Sequence, residues 1–199
     1  MSTKFKKNII DKNEIEIKNN KRKSINEGIL ANGEKLSKSD KIFASIGTLE
    51  ELNAYIGLVK VQHCNLQQSS TIFLFARLTQ IQEIILCIIS ALSTSKKNNE
   101  QFEKTRFAKI AEKNINEIQK EIDKLLEKEE KEKKDFLMIL SGESLFQSQL
   151  LYARTLIRRS ERQILASKNP NLGLVPEEEV IRYLNLLGDY FLFIANSKN

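Results

Sequence analysis

Turn-forming residues are scarce: two prolines and seven glycines serve a chain of 199 residues. Proline and glycine punctuate hairpins and tight turns, so their poverty argues for long helices over many short strands. Cysteine and histidine are nearly missing too. Cys64 and Cys87 stand apart, and the one histidine, His63, has no ligand set around it. That pattern excludes a disulfide framework, a structural zinc site and a Cys–His nucleophile, leaving His63 and Cys64 as the end of a helix.

A secretory core is also lacking near the N-terminus. The first residues are basic, but Asp11, Glu14 and Glu16 sit among them with a single arginine, Arg22, unlike an acid-poor, Arg-rich transit segment. The apolar stretch Ile84–Leu92 is too short to cross a bilayer, with Arg77, Gln82 and Glu83 upstream. These features predict a soluble, intracellular protein without a membrane partner, cytoplasmic, or mitochondrial if its source is eukaryotic. Net charge is +6, from 32 Lys+Arg against 26 Asp+Glu, and suits an anionic ligand. No helix-turn-helix, RNA-binding or zinc spacing accompanies it, so nucleic acid is not the expected partner.

What is present is helical periodicity in a chain 41% hydrophobic and 29% charged, a globular balance. Residues 1–24 read as a basic, disordered arm and 25–199 as one folded domain, opening with a loop or irregular extended segment over 24–40. Thr48 and Glu51 have capping-box spacing, predicting a first helix from Thr48 with Leu52, Tyr55, Ile56 and Val59 inward. A second helix, from about Thr71 to Leu92, carries Leu74, Leu78, Ile81, Ile85 and Ile88 or Ile89. A third, from about Phe102 to Lys131, alternates an isoleucine stripe with Lys/Glu pairs. A fourth covers about Glu143 to Ser167, and Pro176 followed by three glutamates opens a fifth. Five helices with short connections predict an all-α bundle.

On the fourth helix, Arg154, Arg158 and Arg162 recur every four residues. Each step advances only about 40° around the axis, so they form one strip, with Arg159 beside it and Glu161 within it. Leu150, Ala153, Leu156, Ile157 and Ile164 take the opposite, apolar face. Like charges four apart repel by a few tenths of a kcal/mol, so acids, water or a polyanion must offset them. Guanidinium forks suit phosphate oxygens. Spacing alone leaves two readings open: a phosphate cradle, or a surface face paired with glutamates, the commoner fate of charge runs.

The wider pattern resembles a known family. Arg154, Arg158-Arg159, Glu161-Arg162, then Tyr183-Leu184-Asn185, Leu187 and Asp189-Tyr190-Phe191, are similar to the PduO-type ATP:cob(I)alamin adenosyltransferases. Gly47-Thr48, Glu50-Glu51-Leu52-Asn53 and Ile56-Gly57 match its first half, and Asp135-Phe136 before Ser141-Gly142 its connector. The resemblance spans about Gly28 to Asn196. It departs at the N-terminal phosphate loop, where only Asn26-Glu27-Gly28 answers a Thr-x-Thr-Gly-Asp-x-Gly pattern. It departs again at Ala44, Leu140, Glu143 and Leu186, the last standing where an arginine is usual.

The resemblance implies a homotrimeric five-helix bundle with ATP between subunits. The 5′-deoxyadenosyl group would pass from ATP to reduced cobalamin, giving adenosylcobalamin and triphosphate. It implies Lys38, Arg158, Arg159, Ser160, Glu161, Arg162 and Asn185 as ATP-binding residues, with Arg158, Arg162 and Phe136 closest to catalysis. Phe136 would displace cobalamin's lower ligand. Glu161 would help hold Mg²⁺, and Arg154 would pair with Glu50 across subunits. A cobalamin-dependent mutase and a reductase are the implied partners. The alternatives are a catalytically impaired ATP- or cobalamin-binding module of this fold, and a structural helical scaffold.

Overall fold

The computed structural model describes residues 25–31, 33–63, 69–93, 104–131, 140–167 and 177–196. The expected arm, residues 1–24, therefore lies outside the described residues, as does Pro176 ahead of the last helix.

Five long helices dominate, preceded by a small hairpin: β1 (Glu27–Ile29), β2 (Lys35–Ser37), α1 (Lys41–His63), α2 (Ser69–Leu92), α3 (Lys104–Lys131), α4 (Leu145–Ser167) and α5 (Glu177–Asn196). The expected all-α bundle is what the chain forms. The extended segment resolves into antiparallel β1 and β2, with Gly28 opposite Leu36. Gly33 closes the turn, donating its N–H to Leu30 O at 2.9 Å. Its φ of 83° is a conformation that glycine adopts at little cost.

The hairpin is seated on α1 through Gly28. A Cβ there would come within 2.4 Å of the Phe43 ring, so only hydrogen fits.

Helix α1 begins two turns earlier than the Thr48 capping box predicted. Asp40 is the N-cap, its Oδ1 accepting from Ile42 N at 2.9 Å. Thr48 lies mid-helix and donates its hydroxyl to Ala44 O at 2.7 Å. Ile42, Ser45 and Leu49 are buried, so the core stripe reaches back past Thr48 and tertiary packing carries the helix through Gly47. At α4 the cap is Ser144, whose Oγ accepts from Gln147 N at 3.1 Å, while the Gln147 side chain accepts from Glu143 N.

Helix α1 packs against α2 and α4, α4 against α5, and α5 against α3, with a thinner contact closing the ring between α2 and α3. The core is filled by Leu52 and Ile56 of α1, Ile81 and Ile85 of α2, Ile118 of α3, Ile157 of α4 and Leu187 and Phe191 of α5. Each such side chain, taken wholly out of water, contributes about 1.5–3 kcal/mol before entropy is charged. Segment Ile72–Leu92 of α2 is long and apolar enough to cross a membrane by composition. Its inward face is here packed into the bundle.

Among the described residues the core has one charged member. Arg77 of α2 is 7% exposed, and its Nη1 lies 3.0 Å from Glu117 Oε2 of α3. Glu121, one turn along α3, pairs with its Nη2. Burial works to lower the Arg77 pKa, but the bonds to Glu121 and Glu117 outweigh it and leave it above the ordinary value. Tyr183 and Tyr190 of α5 adjoin this network. Burial pushes both phenols well above the usual tyrosine range, and the Glu121 charge adds to the rise at Tyr190.

Candidate functional site

The arginines of α4 are separated by the helix's own geometry. Leu150, Ala153, Leu156, Ile157 and Ile164 are all buried, which fixes the rotation of α4 against α1 and α5. Arg158 and Arg162 then fall on the exposed side, and neither forms an ion pair or hydrogen bond among the described residues. Two cations one turn apart, without partners among the described residues, form the clearest anion-attracting feature there.

Arg159, 100° further around, turns towards α1. Its Nη2 pairs with Glu51, and its Nε is buried without a hydrogen-bond partner among the described residues. Arg154 is half-buried, and its Nε too is buried and unpartnered there. Glu50 is exposed on α1 and is not joined to Arg154 within the chain.

Glu161 accepts from Asn185 Nδ2 at 3.4 Å, linking the arginine strip of α4 to α5. Asn185 also lines an open groove of about 410 Å³ between α3 and α5, with Gln119, Arg182, Leu186 and Asp189. The structure thus brings together Arg158, Glu161, Arg162 and Asn185 on one outward face.

Ser160 does not join them. It is fully buried, and its hydroxyl donates to Leu156 O at 3.0 Å, so a ligand on the arginine face cannot reach it. Its position in the motif is right, but the helix turns it 100° or more from its exposed neighbours. Lys38 is exposed just ahead of α1, its backbone N–H donating to Asn26 O, and no contact joins it to α4 of the same chain among the described residues. Phe136 lies outside the described residues.

The roles of two residues that matter here are not legible in the sequence. Glu51 stands out there as a capping-box partner of Thr48 and a member of the Glu50-Glu51-Leu52-Asn53 motif, not as a partner of Arg159. Arg77 appears as an interruption of an apolar run, and its partners are Glu117 and Glu121, spaced four apart on α3. Among the described residues, no group of three or more His, Cys, Asp or Glu side chains is placed to hold a metal ion. Glu161 is the one carboxylate within the arginine strip. That suits Mg²⁺ carried mainly by phosphates and water, which needs only one or two protein carboxylates.

Comparison with known proteins places the sequence and the fold beside those of one family. Residues 26–198 match the family described as cobalamin adenosyltransferase. A corrinoid adenosyltransferase of Bacillus subtilis (strain 168) is 34% identical over 158 residues, covering 78% of this chain and 72% of that protein. A variant PduO-type ATP:corrinoid adenosyltransferase from Lactobacillus reuteri, complexed with ATP, has a TM-score of 0.66 at 25% identity, over 85% of this chain and 87% of that one. A second variant of that enzyme, complexed with cobalamin and ATP, has a TM-score of 0.65 at 24% identity, over 85% and 84% of the two chains.

Proposed function

The chain belongs to the cobalamin adenosyltransferase family, and on that premise we propose that it transfers the 5′-deoxyadenosyl group of ATP to a reduced corrinoid, releasing triphosphate. The observation that carries this reading is the exposed Arg158–Arg162 pair, without partners among the described residues and flanked by Glu161 and Asn185.

The residue types follow from the reaction. Cobalt in its Co(I) form is itself the nucleophile towards the ribose 5′ carbon, so the protein need not supply a Ser, Cys or His nucleophile. Its task is to hold both substrates in line and to stabilise the departing triphosphate. Arg158 and Arg162 supply charge-assisted hydrogen bonds where negative charge accumulates. Asn185, its amide oriented by Glu161, offers a carbonyl oxygen and a second N–H to the nucleotide. Mg²⁺ held by the phosphates would find Glu161 as the nearest carboxylate, and when bound it would neutralise leaving-group charge.

The proposed working form is a homotrimer. Two groups without partners among the described residues support it: the buried Arg154 Nε and the exposed Glu50, which would meet across subunits. Lys38 would reach the phosphates from a neighbouring subunit, and Phe136 would face the lower ligand of the corrinoid. We place the protein in the cytoplasm, with a reductase supplying Co(I) and a cobalamin-dependent mutase receiving the product.

The test is direct. Purified protein given ATP, Mg²⁺ and chemically reduced cobalamin is expected to develop the adenosylcobalamin spectrum. No product under conditions that hold cobalt as Co(I) would overturn the assignment.

A further inference from the structure

The Glu51–Arg159 pair separates one arginine of α4 from the others. Arg158 and Arg162 are exposed, whereas Arg159 is half-buried on the α1 side. One guanidinium nitrogen, Nη2, is engaged by Glu51 and another, Nε, is enclosed at the surface of α4. With Nε enclosed and Nη2 held by Glu51, the side-on Nε/Nη2 fork by which arginine grips a phosphate is already taken, and among the described residues Nη1 alone has no contact. A bare carboxylate at Glu51 would also repel an incoming triphosphate, and pairing with Arg159 cancels that charge.

We propose that Glu51 is a positioning residue and that Arg159 acts through it: the pair is a cross-brace between α1 and α4 that sets where Arg158 and Arg162 meet the nucleotide. This rests on the adenosyltransferase reading and deepens it, because it divides the arginine cluster into two phosphate ligands and one brace. The two partners are 108 residues apart in sequence and join the helix that carries the hairpin to the helix that carries the arginines. Partial exposure of both, 43% for Arg159 and 48% for Glu51, leaves room for substitution without emptying the core.

The experiment uses the full-length protein and four variants: Glu51→Ala, Arg159→Ala, the double variant, and the charge swap Glu51→Arg with Arg159→Glu. ATP affinity is measured by calorimetry with Mg²⁺ present, KM and kcat by adenosylcobalamin formation, and folding by circular dichroism and Tm. Each single variant is expected to weaken ATP binding about fivefold, the scale of one exposed ion pair. The double variant should be no worse than either single one, and the swap should return affinity to within about twofold of the wild type.

Three results would overturn the brace. Arg159→Ala could weaken ATP binding while Glu51→Ala leaves it unchanged or tightens it, which makes Arg159 a direct phosphate ligand. Both could lower Tm with Kd and KM unmoved, which makes the pair merely structural. The folded swap could fail to recover. Should Glu51→Ala not fold, Glu51→Gln and Glu51→Asp carry the same comparison, with Asp expected to bind ATP more tightly than Gln. Absence of ATP binding in the wild type instead overturns the adenosyltransferase reading itself, a result distinct from wild-type binding that the variants do not alter.

Discussion

Arg77 Nη1 of α2 lies 3.0 Å from Glu117 Oε2 of α3, so the thinnest seam of the bundle is held by a cation that is 7% exposed. Glu121 completes the network. Removing one member of such a group strands the others, which typically costs about 3–5 kcal/mol. Arg77→Met is therefore expected to destabilise the protein by about 3 kcal/mol in urea unfolding. Replacing Arg77, Glu117 and Glu121 together with apolar residues should recover most of that loss. A harmless single substitution would show that α3 is docked by its isoleucines alone.

Arg158 and Arg162 should behave differently from core residues. Alanine at either position removes a charge-assisted contact worth about 1.5–3 kcal/mol, or roughly tenfold to a hundredfold in ATP affinity. Tm without ligand should hold or rise slightly, because like-charge repulsion along α4 is relieved. Calorimetric titration with ATP, beside a thermal melt of the same sample, separates the two effects.

Ser160 provides the converse case. Its hydroxyl bonds within its own helix and faces the core. Ser160→Ala should leave ATP affinity unchanged and shift stability by under about 1 kcal/mol. A marked loss of ATP binding with the fold intact would restore the motif-based assignment of Ser160 to the nucleotide.

The buried phenols set an alkaline limit. Burial raises the Tyr183 and Tyr190 pKa values above the ordinary 10.0, so the folded state keeps both neutral. Their contribution is fully present below about pH 10, and is lost as pH climbs above it, because unfolded tyrosine then ionises and folded tyrosine does not. The urea midpoint should fall from about pH 10 upward, and less steeply in Tyr190→Phe. Tyr183 Oη is buried without a hydrogen-bond partner among the described residues. Tyr183→Phe should therefore be neutral or stabilising at pH 7.

Gly28 tests how the hairpin is seated. With the Phe43 ring 2.4 Å from where a Cβ would stand, Gly28→Ala must displace either the ring or β1. It should lower stability by about 1–3 kcal/mol, read as a fall in Tm. Gly28→Ala combined with Phe43→Leu should recover part of that loss.

Periodicity made the helices readable before any coordinates. The apolar stripes of α2 and α4 lie inward where the 3.6-residue repeat put them, with Leu74 alone half-buried, because one stripe per helix must leave water whatever its neighbours are. The start of α1 was not readable by the same logic. Thr48 and Glu51 satisfy the capping-box spacing, yet Asp40 caps the helix, and the burial of Ile42 and Ser45 outweighs the local signal at Thr48. Local capping is worth about 1 kcal/mol, and an additional buried turn is worth more.

The candidate site divides in the same way. By itself the sequence placed Arg154, Arg158 and Arg162 on one strip, since a four-residue repeat on a helix admits nothing else. It also marked Asn185 through the order of motifs along the chain. Which arginines are available to a ligand was decided only by tertiary structure, because exposure depends on the rotation of α4 against α1 and α5. That rotation turns Ser160 into the core, commits Arg159 to Glu51 and leaves Arg158 and Arg162 facing water. Arg77 became legible as part of a network rather than an interruption once α3 was laid beside α2, since its partners lie 40 and 44 residues away. A helical repeat states which residues share a face, and only packing determines what that face meets.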